Sequence, residues 1–258
     1  MFIINKNNIF TIITIVFNII LFNYVSFSAQ EGLKPEKHNF SFNKINGKIN
    51  KNSAQRGLQV YIEVCSGCHG LKHVAYRSLQ ELGYNKDQIN KIAAQFFLDD
   101  LPNDDGEIVK RKATYSDYFV EPYDNYKIAE LSNNGAYPPD LSLMVKARKD
   151  GANYVRSLLL GYEDPPENFD VGEGYYNKYM AGNIIAMPQP LYGDDITFSD
   201  GTEATLEQEV NDLVTFLTWA AMPDLEPRKS AGIKALLFLL VMTFLFYLSY
   251  RKIWKDLK

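Results

Sequence analysis

Both cysteines of this 258-residue chain and two of its three histidines fall in one stretch, VYIEVCSGCHGLKHVAYRSL, residues 60–79. Cys65, Cys68 and His69 form a C-x-x-C-H run, and three chemistries could use it. The thiols could cycle as a redox disulfide, bind a metal together with His69, or attach a haem covalently. Each thiol can add across one vinyl group of the macrocycle, and cysteines three apart reach both vinyls from one turn of chain. His69 then falls beneath the ring, where its imidazole can bind iron. Chance placement of these residues in this order is on the order of one in ten thousand. A structural zinc site needs four ligands, and only His73 or the distant His38 remains to complete one. A thioredoxin-like motif needs a βαβ pattern, which is absent around the run. The spacing therefore favours haem.

Iron that binds no gas or substrate needs a sixth ligand. His73 is too close to His69 to reach the opposite face, and His38 lies in an irregular segment. Beyond Met1 the methionines are Met144, Met180, Met187, Met222 and Met242. Met144 has apolar helical neighbours, Met222 ends a helix, and Met242 belongs to a long apolar run. Met187 stands in the loop GNIIAMPQPLYG, stiffened by Pro188 and Pro190. A methionine ordinarily fills gaps in a core. Position nevertheless ranks Met187 first and Met180 second.

The elements that must hold these residues are mostly helical. Leu58, Tyr61, Ile62 and Cys65 fall at helical spacing. Residues 141–148 and 152–160 read as two short helices broken at Asp150-Gly151, with Gly161 as a C-cap. Thr205 to Gln208 fits a capping box, opening a helix that repeats Leu206, Val210, Leu213 and Leu217 on one face and stops before Pro223. Residues 30–52 read as an extended arm. Strand signals are scarce. Residues 133–141 (NNGAYPPDL) and 182–193 are too rich in proline and glycine for regular structure, and such loops commonly wrap a ligand. The expectation is a mainly α domain with long loops.

Both ends carry addresses. Residues 9–22 are apolar, with Lys6 before them and Ser26-Phe27-Ser28-Ala29 after, the order of a signal peptide ending near residue 29. The first 30 residues contain no arginine, which fits a mitochondrial presequence poorly. Residues 230–250 hold one charge, Lys234, and span about 30 Å as a helix. Arg251, Lys252, Lys255 and Lys258 follow as a cytoplasmic tail, residues 251–258. The chain carries −4 in total, the first 29 residues +1 and the residues from Ser230 onward +4, which leaves −9 for residues 30–229. An exported domain this acidic excludes nucleic acid and suits a basic protein partner.

The segments CSGCHGLKHVAYRSL, NGAYPPDLS, ARKDGANYVRSLLLGYEDPP and AMPQPL, followed by one C-terminal span, resemble the cytochrome c1 family. That family is the haem subunit of the quinol–cytochrome c reductase complex, and the resemblance covers residues 45–255. It implies a cytochrome c-like fold with inserted loops and one covalently attached haem c. It implies His69 and Met187 as axial ligands, Arg148 and Tyr154 near the haem propionates, and Asn133 and Pro139 lining the pocket. It also implies cytochrome b and a Rieske iron–sulfur protein as complex partners and a soluble basic cytochrome c as acceptor. The isolated chain is then an electron carrier rather than an enzyme, in a bacterial inner membrane with its haem domain facing the periplasm. From the residues alone two other readings stay open. One is a membrane-anchored cytochrome serving a terminal oxidase, and the other is a haem sensor with an open iron position.

Overall fold

The computed structural model describes residues 32–255. The expected leader, residues 1–29, and the last three residues of the basic tail lie outside them.

Two helices form the main packing of the domain, α1 (Lys51–Glu63) and α6 (Leu206–Ala221), far apart in sequence and pressed together in space. Asn50 starts α1 by accepting a hydrogen bond from Ser53 N, and Thr205 starts α6 by accepting from Gln208 N. Gly57 stands where the helices cross. A Cβ there would lie 2.0 Å from Asp212 O, so only glycine lets the backbones approach this closely. The crossing is pinned by Arg56, whose Nε donates to Asp212 Oδ2 at 2.6 Å. Tyr61 of α1 meets Phe216 of α6 with ring centroids 5.9 Å apart, and Phe119 and Tyr76 extend the stack. Each such side chain, once buried, is worth about 1.5–3 kcal/mol.

The remaining helices are α2 (Lys86–Ala93), α3 (Tyr126–Ser132), α4 (Met144–Ala147), α5 (Gly151–Leu160) and α7 (Leu225–Ile253). The break between α4 and α5 falls at Asp150-Gly151, as the sequence predicts, with φ of 64° and 50°. Gly161 caps α5 but with φ −93°, outside the left-handed region. Its glycine is required by space instead, since a Cβ would meet Tyr179 Cδ2 at 2.5 Å and Ser157 O at 2.8 Å. The capping box at Thr205 is only half formed, because the Gln208 side chain turns to Asp212 Oδ2 at 2.8 Å. A reciprocal box occurs at Asn85 and Gln88, at the start of α2.

Strands are few. β1 (Phe97–Pro102) and β2 (Ile108–Lys112) make an antiparallel hairpin pairing Phe97 with Lys112. Most of its residues are exposed, so it lacks the alternation that would mark a half-buried strand. A second, two-residue ladder pairs β3 (Tyr175–Tyr176) with β4 (Ile184–Ile185) and ends two residues before Met187. Residues 32–50 of the expected extended arm are without regular structure apart from a 3-10 turn at Ser41–Asn43, yet they are tied down, and Lys51 and Asn52 already belong to α1. Phe40 and Phe42 stack at 4.8 Å and are buried, and Glu36 N and His38 N donate to Ser157 and Asn153 of α5.

Helix α7 contains the expected span. Its 29 residues extend about 44 Å, and its apolar window has a mean hydropathy of 2.2 with none of it buried. By length and composition it can cross a membrane.

Candidate haem site

The C-x-x-C-H run leaves the end of α1 as a single tight turn. Cys65–Gly67 form a 3-10 turn, and Cys68 N and His69 N both donate to Cys65 O, at 3.1 and 2.9 Å. Ser66 Oγ donates back to Ile62 O at 2.7 Å, and Tyr61 Oη donates to His69 O at 2.9 Å. The turn is therefore fixed at both ends by α1. Both thiols are free, Cys65 half-buried and Cys68 exposed.

The segment Pro139–Ser142 lies alongside this turn and its continuation. Leu141 N donates to Gly70 O at 2.9 Å, Lys72 N to Asp140 Oδ2 at 2.9 Å, and His73 N to Ser142 Oγ at 3.1 Å. The result is the placement of Pro139 O at 2.7 Å from His69 Nδ1. A carbonyl can only accept, so the neutral imidazole carries its proton on Nδ1 and offers Nε2 as a lone pair. Burial holds the His69 pKa below its ordinary value, partly offset by the Pro139 carbonyl and Asp140. A neutral ring is the ligating form. Burial pushes the Cys65 thiol up to about 12, with Cys68 adding to the shift. Such a position resists a thiolate and suits an uncharged thioether. Beside the turn an open cleft is lined by Cys68, Tyr123, Tyr126, Ala129, Pro138 and Asp140. Two free thiols on one turn, a tautomer-locked imidazole and a partly aromatic cleft fit a covalently bound haem. Among the described residues no group of three His, Cys, Asp or Glu side chains could hold a lone metal ion.

The other expected residues are distributed as follows. Asn133 ends α3, with Nδ2 donating to Tyr123 Oη at 3.0 Å and Ala129 O at 2.6 Å, and both partners line the cleft. Met187 is half-buried against the core that also receives Cys65. Its backbone carbonyl accepts from Tyr162 Oη at 3.0 Å, while its sulfur makes no hydrogen bond among the described residues. Met180 differs, because its sulfur accepts from Tyr154 Oη at 3.7 Å. Arg148 is exposed just after α4 and makes no side-chain hydrogen bond among the described residues. The buried arginine of α5 is Arg156, paired with Glu207 and with Asn211 Oδ1 at 2.8 Å. His38 packs edge-on against Phe40 at 4.5 Å, which ties it to the arm.

Three contributing residues escape the sequence reading. Asp140 had a readable signal, an Asp after Pro-Pro with Ser142 two residues on, the pattern of an Asx turn. Tyr61 and Tyr162 had none, since each hydroxyl serves a backbone carbonyl that only the fold brings near.

Fold and site together define a class, a mainly α domain of the cytochrome c type that continues into one apolar C-terminal helix. The model of the Cytochrome C1 family matches residues 40–257. The chain belongs to that family. It is 42% identical over 244 residues to cytochrome c1 of Rhodospirillum rubrum, covering 88% of this chain and 90% of the relative. It is 42% identical over 232 residues to an Arabidopsis thaliana protein named "Cytochrome c1 2, heme protein, mitochondrial", covering 89% and 75%. A Candida albicans relative named "Cytochrome b-c1 complex catalytic subunit, mitochondrial" is 42% identical over 214 residues, covering 82% and 74%.

Proposed function

We propose that this chain is the haem-bearing electron carrier of a membrane quinol–cytochrome c reductase. Cys65 and Cys68 would hold one haem c through thioethers, and His69 Nε2 and Met187 Sδ would ligate its iron. When bound, the haem supplies a one-electron iron couple, which the protein tunes by ligation, burial and hydrogen bonding. The observation that carries this reading is the His69–Pro139 contact, which engages Nδ1 and leaves the Nε2 lone pair unused on a turn with two free thiols. Met187 is preferred to Met180 because Met180 Sδ is already engaged by Tyr154.

In this reading residues 30–229 form the exported domain, residues 230–250 cross the membrane once, and the tail from Arg251 stays in the cytoplasm. The domain faces the periplasm, beside cytochrome b and a Rieske iron–sulfur protein that donates the electron. A soluble cytochrome c takes it up. The isolated chain carries electrons, and the assembled complex is the enzyme. The test is to solubilise membranes in mild detergent, capture the tagged chain, and identify what remains bound. Cytochrome b and an iron–sulfur protein in constant ratio support the assignment. Recovery with a terminal oxidase and no cytochrome b overturns it.

A further inference from the structure

Helix α6 carries a carboxyl group that its surroundings do not satisfy. Glu209 is fully buried; its Oε1 accepts from Asp195 N at 3.2 Å, and its Oε2 has no hydrogen-bond partner. An ionised carboxylate in such a place needs a cation. Among the described residues none is within reach. The elements packed on α6 offer Lys51, Arg56 and Glu63 from α1, Lys146 from α4 and Arg156 from α5. Arg56 is bound to Asp212 and Asp200, and Arg156 to Glu207, which also accounts for the other acids on the first turns of α6. The charged group that does face Glu209 is Asp195, an exposed carboxylate on the covering loop. Two carboxyl groups without a cation stay in contact only if one keeps its proton.

Asp195 also organises that loop. Its Oδ2 accepts from Tyr192 N at 2.6 Å and Gly193 N at 2.9 Å, and Asp194 N donates to Ala204 O at 2.7 Å. Gly193, at φ 88°, is pressed so close to α6 that a Cβ would lie 2.8 Å from Leu206 N. The chain leaving buried Leu191 is thus folded around Asp195, and Asp195 rests on Glu209.

We propose that Glu209 and Asp195 form a proton-binding pair that latches residues 191–196 onto α6. One proton taken from solvent resides on the Glu209 carboxyl, beside the Asp195 carboxylate. Its return to solvent leaves two negative charges in contact, and the segment loosens. Burial and the Asp195 charge push the Glu209 carboxyl up to about 7, which sets the release near neutrality. The sign follows from linkage. A raised acid favours the fold most at low pH, and this contribution falls as pH rises from the ordinary carboxylate range to about 7, then stays level. Asp195 follows the loop that carries Met187, but the pair does not depend on Met187 binding iron.

Amide hydrogen exchange read by mass spectrometry, on the full-length chain purified in detergent, tests the latch. With rates corrected for intrinsic exchange, peptides spanning 191–196 should open at least about threefold more at pH near 8 than near 6. Glu209→Gln should abolish that step. Asp195→Asn, an exposed change that avoids altering the core, should shift the step to lower pH by removing the like charge. Equal corrected rates in the unaltered chain at both pH values overturn the proposal. So does a step that persists in Glu209→Gln or fails to move in Asp195→Asn.

Discussion

His69 Nδ1 lies 2.7 Å from the carbonyl oxygen of Pro139, a residue 70 positions later in the chain. This contact joins the cysteine turn to the proline-rich loop and leaves only Nε2 free to bind iron. The carbonyl itself cannot be mutated, but what holds it can. Asp140 is bonded to Lys72 N and Ser142 N, both at 2.9 Å. Asp140→Ala should destabilise the haem-loaded protein by about 1–3 kcal/mol, a loss of several degrees in Tm. The His69 Nδ1 proton should also exchange faster by NMR. An unchanged proton signal would mean that Pro139 is positioned without Asp140.

The two loop methionines should behave differently. Met187→Leu should lower the reduction potential sharply and let the reduced haem bind carbon monoxide, because a thioether favours ferrous iron and its loss opens a coordination position. Met180→Leu should do neither, since that sulfur serves Tyr154. If the two variants exchange phenotypes, Met180 is the ligand.

Tyr162 should matter through backbone rather than sulfur. Its hydroxyl stays a donor because burial raises its pKa, and it donates to Met187 O at 3.0 Å. Tyr162→Phe should cost about 1 kcal/mol in denaturant titration and give a small fraction of carbon monoxide-reactive haem. Tyr154→Phe should leave that fraction at zero.

What a sequence can display of this fold and candidate site differs by residue. Cys65, Cys68 and His69 are neighbours, and the chemistry expected of them rests on local spacing that a string displays. The break at Asp150-Gly151 and the apolar face of α6 are likewise local. The β1–β2 hairpin escaped because Asp99, Asp100 and its exposed apolar residues follow no alternation. The roles of Asp140, Tyr61 and Tyr162 required contacts across the fold. Gly161 caps α5 where the sequence places it, but the need for glycine there comes from the Tyr179 ring, which only the fold brings near.

The hairpin's anchor predicts a pH dependence. Arg111 grips Asp117 with bonds of 2.7 and 2.8 Å, and Thr114 donates to it from N and Oγ1. These contacts, Arg111 foremost, hold Asp117 well below the usual carboxylate range. Its contribution is present above the unfolded value of about 4 and is lost as pH falls through the lower folded value. Asp117→Asn should therefore lower Tm near neutral pH, and the gap from the unaltered chain should close in strong acid. A gap that widens in acid would contradict the sign.

The acidic loop supplies a kinetic test. Glu163, Asp164, Glu167, Asp170 and Glu173 are all exposed, and among the described residues only Glu163 has a basic partner, Lys178 at 3.2 Å. Replacing all five by their amides should slow electron transfer to a basic cytochrome c and flatten its dependence on ionic strength, leaving the potential nearly unchanged. An unaltered salt slope would move the docking face to Asp99–Glu107.

The central claim is covalent attachment at the turn that His69 completes, and intact-mass spectrometry of the denatured chain measures it directly. The account predicts one haem mass that survives denaturation and maps to the tryptic peptide holding Cys65 and Cys68. A chain that releases its haem into acid acetone, or whose adduct maps elsewhere, contradicts it.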